Sequence, residues 1–123
     1  MAQEMHLTAI AAPGAKATFS PIKPDGSQAR FSIPRGKVFV ATDISIQREM
    51  VVASTGLFNV SITQSPDNLH QLRWAFVGSL SKNFERSFST GMVFSTPFSL
   101  ENGSQSADAV VLRLWGIVRA KSK

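Results

Sequence analysis

The 123-residue sequence contains no cysteine, no tyrosine and only two histidines, His6 and His70. Without cysteine it has no disulfide bonds and no thiolate chemistry, and two histidines leave little scope for acid–base catalysis or metal binding. No stretch of about 18 apolar residues is present, so no membrane-spanning helix is predicted. Charged residues make up 17% and hydrophobic residues 43% of the chain. This balance is typical of a folded protein, and the length fits one domain.

Helical periodicity is also missing, because no segment keeps apolar residues at i, i+3, i+4 and i+7 over three turns. Alternation with period two recurs instead. It is clearest at residues 37–47, 57–62, 72–80 and 110–118, and weaker at 6–11, 15–19, 28–33, 49–53, 83–88 and 98–100. Turn sequences such as Pro24-Asp25-Gly26 and Pro34-Arg35-Gly36 separate these segments. About eight to ten short strands at this spacing predict an all-β fold, a single antiparallel β-sandwich that is jelly-roll-like.

The positive charge is concentrated at the end of the chain. The formal net charge is +5, and Arg119, Lys121 and Lys123 supply three of the thirteen basic residues. The other basic residues are spread over turns and strand edges, where they discourage aggregation. We therefore predict one domain over residues 1–118 with a basic tail at 119–123, and the charge does not favour a nucleic-acid partner.

The aromatic residues, nine Phe and two Trp, are predicted to build the core. Trp74 shares an alternating face with Leu72 and Phe76, so that face is expected to point inward. In residues 37–47 the β-branched side chains are expected to pack inward. This set is Val38, Val40, Thr42, Ile44 and Ile46.

The last strand is apolar on both faces. Its inward face is predicted to carry Val110, Leu112, Leu114 and Val118, and its outward face Val111, Arg113, Trp115 and Ile117. An outward face in a monomer is normally polar. Burial of the three apolar outward side chains would contribute roughly 5 kcal/mol, so something is expected to cover them. Arg73 and Val77 of residues 72–80 are expected to extend the same surface.

Three covers are possible for this surface. The N-terminal strand at residues 6–11 could fold across it. A second copy could cover it in a symmetric dimer or trimer. A ligand could occupy a groove centred on Trp115 and Arg113, where an indole and a guanidinium would suit a sugar or an anionic glycan.

Residues 33–44 read Ile-Pro-Arg-Gly-Lys-Val-Phe-Val-Ala-Thr-Asp-Ile. This segment resembles a Pro-x-Gly-Lys turn and the strand after it in small bacterial β-sandwich proteins. Residues 110–118, with Gly116, are similar to the closing strand of that group. The resemblance implies a jelly-roll-like sandwich that is usually exported and has no established activity. Ala2-Gln3-Glu4 is the kind of start left by signal-peptide cleavage. We therefore expect an extracytoplasmic protein if a signal peptide was removed before Ala2, and a cytoplasmic or virion protein otherwise.

Residues that could carry chemistry are few. Ser65, Asp67 and His70 lie close together in sequence, but such residues commonly bond to local backbone in loops. Glu4 and His6 are too few ligands for zinc. A calcium site would require loops to gather single carboxylates, namely Asp25, Asp67, Glu101 and Asp108. The sequence therefore predicts no catalytic site, no metal and no cofactor.

Together these observations predict a non-catalytic, homo-oligomeric structural or adhesion module, extracytoplasmic or part of a virion or phage. The alternative is a carbohydrate-binding module that uses the exposed Trp and Arg surface of the last strand.

Overall fold

The computed structural model describes residues 3–21, 31–48, 58–64, 71–78, 84–103 and 109–121. These residues form nine strands: β1 Gln3–Ala11, β2 Lys16–Thr18, β3 Ser20–Pro21, β4 Lys37–Arg48, β5 Phe58–Gln64, β6 Gln71–Gly78, β7 Phe84–Phe94, β8 Phe98–Asn102 and β9 Val110–Ala120. The described residues include no helix long and apolar enough to cross a membrane. The prediction of an all-β chain is confirmed.

The strands form two antiparallel sheets. One has the order β3-β1-β9-β4-β7 and the other the order β2-β8-β5-β6. Strands pair as nested partners, β1 with β9, β2 with β8, β4 with β7 and β5 with β6. The chain thus follows the path of one long two-stranded ribbon wound into two sheets, which is the topology of a jelly roll.

Two Gly-containing turns connect or introduce strands. The Lys37 amide donates to the Pro34 carbonyl at 3.1 Å, and Gly36 has a φ of 77°. A turn with positive φ at its third residue favours glycine there, so the predicted Pro34-Arg35-Gly36 turn is present. The same geometry recurs between β1 and β2, where Gly14 also has a φ of 77°.

Phenylalanine fills the space between the sheets. The centroids of the Phe94 and Phe98 rings lie 4.3 Å apart, and Phe39 stacks on Phe98 at 5.7 Å. All nine phenylalanines either belong to the buried core or pack against it: Phe19, Phe31, Phe39, Phe58, Phe76, Phe84, Phe88, Phe94 and Phe98. The predicted use of Phe as core residues is confirmed.

The inward face predicted for β4 is wrong in its first half. Phe39 and Ala41 face the core, whereas Val38 and Val40 are buried on the outward side of the sheet. The pairing of β4 shifts register around Thr42, and the extra residue of such a bulge exchanges the two faces. Beyond it, Ile44 and Ile46 point inward as predicted.

The inward face predicted for β6 is wrong at Leu72 because the strand contains a second bulge. Ile62 pairs with Trp74 and Thr63 pairs with Leu72, so Arg73 is the extra residue. Trp74 packs against the core beside Phe84, with ring centroids 6.0 Å apart. Leu72, which simple alternation placed with Trp74, is instead 63% exposed.

Some predicted boundaries differ from the structure. The strand predicted at 28–33 is not formed over residues 31–33, and the one predicted at 49–53 lies outside the described residues. β7 continues to Phe94, six residues beyond the predicted end. β9 continues to Ala120, so Arg119 belongs to the strand and not to the predicted tail.

Candidate functional site

The predicted outward residues of β9 share one face of the five-stranded sheet but differ in exposure. Trp115 is 37% exposed, whereas Val111 is only 6% exposed. Arg113 and Ile117 are half-buried. The chain itself therefore shields Val111, and the part of this face that is open to solvent is centred on Trp115.

The other two predicted site residues lie elsewhere. Arg73 and Val77 belong to β6 in the four-stranded sheet, and the structure does not bring them to Trp115. The Arg73 guanidinium lies 5.4 Å from the centroid of the Phe94 ring. Val77 points outward and is 65% exposed.

The N-terminal strand does not cover the outward face, contrary to one of the three sequence-based alternatives. β1 lies beside β9 in the same sheet, and Leu7 pairs with Leu114. Since β1 alternates like its neighbour, it adds its own outward side chains to this face, and His6 lies opposite Trp115. The strand thus widens the surface.

Trp115 stands in a row of side chains that crosses four strands. The row is His6 on β1, Trp115 on β9, Asp43 on β4 and Ser87 on β7. The His6 and Trp115 rings stack, with centroids 4.7 Å apart and planes 14° from parallel. One face of the indole is therefore occupied by the imidazole.

Two depressions border Trp115 and Asp43. One, of about 430 Å³, is also lined by Glu4, His6 and Ile117, among others. The other, of about 380 Å³, lies toward β7 and is also lined by Glu85, Arg86 and Ser87. We call these two adjoining depressions the Trp115 groove.

Asp43 is held in a fixed position by two hydroxyl groups. Ser87 Oγ donates to Oδ1 at 2.6 Å, and Thr42 Oγ1 lies 2.9 Å from Oδ2. These hydrogen bonds lower the pKa of the Asp43 carboxyl because they stabilise its charged form. The bulge at Thr42 turns the Asp43 side chain to the outward face, where it lies beside Trp115.

His6 is held neutral at ordinary pH. Burial, and secondly the positive charge of Arg113, lowers its pKa from the usual value of 6.5. The His6 Nε2 atom and the Thr8 hydroxyl are buried without a hydrogen-bond partner among the described residues. Protonating this imidazole would place a charge beside Arg113 without a compensating hydrogen bond.

We expect stability to fall as pH is lowered from about 7 to 5. Because the pKa of His6 is lowered by folding, the unfolded chain binds its proton first as pH falls below 6.5. The contribution of neutral His6 is present above that pH and is lost as pH falls toward the folded pKa. Urea unfolding across this range measures it. His6→Phe keeps a ring against Trp115 and should flatten the dependence relative to the wild type. An unchanged slope in His6→Phe would contradict this account.

The residues considered for catalysis or metal binding do not form a cluster in the described part of the chain. Ser65, Asp67 and His70 lie outside the described residues, as do Asp25 and Asp108. Glu4 and His6 lie on the outward face of β1, and Glu101 is on the other sheet. Within the described ranges, no three residues of His, Cys, Asp or Glu are close enough to hold a metal ion.

A second candidate surface lies on β6, which is an edge of the four-stranded sheet. Leu72, Ala75 and Val77 are exposed on its outward face, with Leu72 at 63% and Val77 at 65%. The one charged residue of β6 is Arg73, and its guanidinium lies over the Phe94 ring. We use the name β6 edge for these three side chains together with the outer backbone side of the strand, which has no partner in the part of the chain that the structure describes.

The other sheet edges are protected in ways that β6 is not. β2 has three residues and β3 has two, one of them Pro21. β7 is long, but it carries exposed Glu85 and Arg86, and its pairing is irregular opposite Thr42. Short strands, proline, charge and bulges all hinder pairing between copies. β6 has a bulge at Arg73, but the strand beyond it is regular and uncharged.

No protein-family model matches the sequence, and no curated protein matches it. A solved structure that is similar to this chain is the cryo-EM structure of a virus-like particle of extra small virus of the giant freshwater prawn Macrobrachium rosenbergii. The identity is 10%, the match covers 98% of this chain and 81% of that chain, and the TM-score is 0.38. The jelly-roll topology of this chain rests on its own strand pairing.

Sequence reasoning identified Trp115 but missed most of its neighbours. The pattern points to His6 only as a metal ligand and to Thr42 only as an inward-facing residue, and it marks neither Asp43 nor Ser87 as a site residue. One signal was available for Asp43, because a carboxylate interrupts an apolar strand at that position. Ser87 gave no signal, since only the register of β7 brings it to Asp43.

Proposed function

We propose that this chain is a non-catalytic structural module that assembles into a homodimer through its β6 edge. The observation that supports this most strongly is the combination of an eight-residue edge strand, whose outer side has no partner among the described residues, and two largely exposed aliphatic side chains, Leu72 and Val77. An open edge of this kind is a template for pairing with another strand. A second copy of the same chain offers the matching edge.

A two-fold axis perpendicular to the sheet makes the two β6 strands antiparallel. Two four-stranded sheets then join into one continuous sheet of eight strands. With Phe76 at the axis, Val77 of one copy lies beside Ala75 of the other, and both are on the outward face. The Val77 and Ala75 side chains of the two copies then shield one another from water.

The expected affinity is modest. Burying an exposed Leu or Val side chain contributes about 1.5–3 kcal/mol, and each new main-chain hydrogen bond contributes about 1 kcal/mol. Association costs at least about 4 kcal/mol in lost freedom of motion. With two Val77 side chains buried and about six main-chain hydrogen bonds formed, the gains are roughly 11 kcal/mol. The net of about 7 kcal/mol corresponds to a dissociation constant on the order of 10 μM.

Sedimentation equilibrium from about 1 to 300 μM, which spans this dissociation constant, tests the proposal. We expect the mass-average molecular mass to rise from the monomer value of 13.3 kDa toward twice that value. A mass that stays at the monomer value over the whole range would overturn it.

A further inference from the structure

We propose that the Trp115 groove binds the ring of a neutral sugar, with the indole stacking on the ring and the Asp43 carboxylate accepting hydrogen bonds from its hydroxyl groups. This site lies on the five-stranded sheet, and the β6 edge belongs to the other sheet. The inference therefore does not depend on dimer formation.

The indole offers one apolar surface to a ligand. His6 stacks on one face of the ring at 4.7 Å, yet Trp115 keeps 37% of its surface exposed. The stacking partner fixes the ring, so little side-chain entropy is lost when a ligand binds. The C–H face of a pyranose is a flat apolar surface that can pack against the exposed part of the ring.

Asp43 supplies the polar contact beside the indole. Each carboxylate oxygen has one hydroxyl partner, Thr42 or Ser87, and each has a further lone pair for another donor. Because its pKa is lowered, the group is an acceptor only. Two neighbouring sugar hydroxyls can donate to the two oxygens. The hydrogen bonds from Thr42 and Ser87 fix the orientation of the carboxylate before the sugar binds.

The charges around the groove favour a neutral sugar over an anionic one. Its lining includes three acidic residues, Glu4, Asp43 and Glu85. Arg86 also lines it, but it pairs with Ile44, whose side chain faces the core, so the Arg86 side chain starts on the opposite face of the sheet. Arg113, which the sequence assigned to binding, lies in the next row of the sheet, opposite Thr8 and Ser45. The carboxylates repel an anionic glycan, and the positive charge of Arg113, which acts on His6 beside the indole, reduces the attraction for a cation.

Saturation-transfer NMR and calorimetric titration with the methyl glycosides of glucose, galactose and mannose test this assignment. We expect at least one glycoside to bind with a dissociation constant on the order of 1 mM. Trp115→Ala and Asp43→Asn should each weaken binding at least about tenfold, equivalent to 1.4 kcal/mol. Trp74→Phe and Glu101→Gln are matched controls on the other sheet and should bind like the wild type.

Three results would overturn the assignment. They are no binding of any of the three glycosides by the wild type, unchanged binding by folded Asp43→Asn or Trp115→Ala, or tighter binding of methyl glucuronide or glucosamine than of the neutral glycosides. If Trp115→Ala does not fold, Asp43→Asn decides, with circular dichroism as the check on its fold. The mass of the wild type in solution is measured separately, so failure of the dimer and failure of this site are distinguishable.

Discussion

Replacing Gly116 by alanine is expected to lower the free energy of unfolding by about 3 kcal/mol, the upper part of the range for an overpacked core. Gly116 faces the core from the middle of β9, opposite Ala41. A Cβ atom there would overlap the Val40 carbonyl oxygen and lie 2.9 Å from Phe39 Cζ. The obstacle is the backbone of β4 at its bulge, which cannot move without breaking the sheet.

Urea and thermal unfolding measure this effect, with a fall in Tm of roughly 10 °C expected for a domain of this size. Gly103→Ala is the matched control, because a Cβ there meets its nearest neighbours at 3.6 Å, an ordinary contact. A Gly116→Ala protein as stable as Gly103→Ala would show that β4 and β9 are not packed as described.

The double variant Leu72→Lys, Val77→Lys is expected to be a monomer at every concentration at which the wild type is a dimer. Both side chains are exposed in the single chain, so lysine can extend into water there at little cost to folding. In the dimer, four added positive charges would be crowded along one strand pair. Charged side chains on an edge oppose such pairing, and we expect the dissociation constant to rise at least about a hundredfold, equivalent to 2.7 kcal/mol.

Thr18→Lys, Ser95→Lys is the control for this variant. It adds the same charge at two exposed positions away from the β6 edge. Sedimentation of both proteins at the same salt concentration separates a general charge effect from a local one. A Leu72→Lys, Val77→Lys protein that dimerises as tightly as the control would place the interface elsewhere.

The sequence predicted the faces of β9 correctly because alternation along that strand is uninterrupted. It failed at β4 and β6, where one extra residue, Thr42 or Arg73, exchanges the faces. An alternating pattern of apolar and polar residues does not show where a bulge inserts an extra residue, so the exchange of faces cannot be predicted from it. A clue was present in β4, since simple alternation puts Asp43 on the same face as Phe39, and phenylalanines are predicted to build the core.

The candidate site was predictable only through its aromatic residue. Trp115 was assigned to the outward face from alternation alone, and it lies there. The residues that give the groove its chemistry, His6 and Asp43, come from strands far away in sequence, and only the pairing registers bring them together. Arg73 was placed beside Trp115 on the assumption of one continuous surface, whereas the chain divides its strands between two sheets.

Hydrogen–deuterium exchange of the wild type at two concentrations, about ten times below and ten times above the expected dissociation constant of roughly 10 μM, tests the central claim most directly. Amides of Gln71–Gly78 that point away from β5 have no partner within the described chain. We predict that they exchange rapidly in the dilute sample and are protected in the concentrated one, while the edge amides of β7 exchange equally in both. Exchange in β6 that is independent of concentration would contradict pairing between copies through this edge.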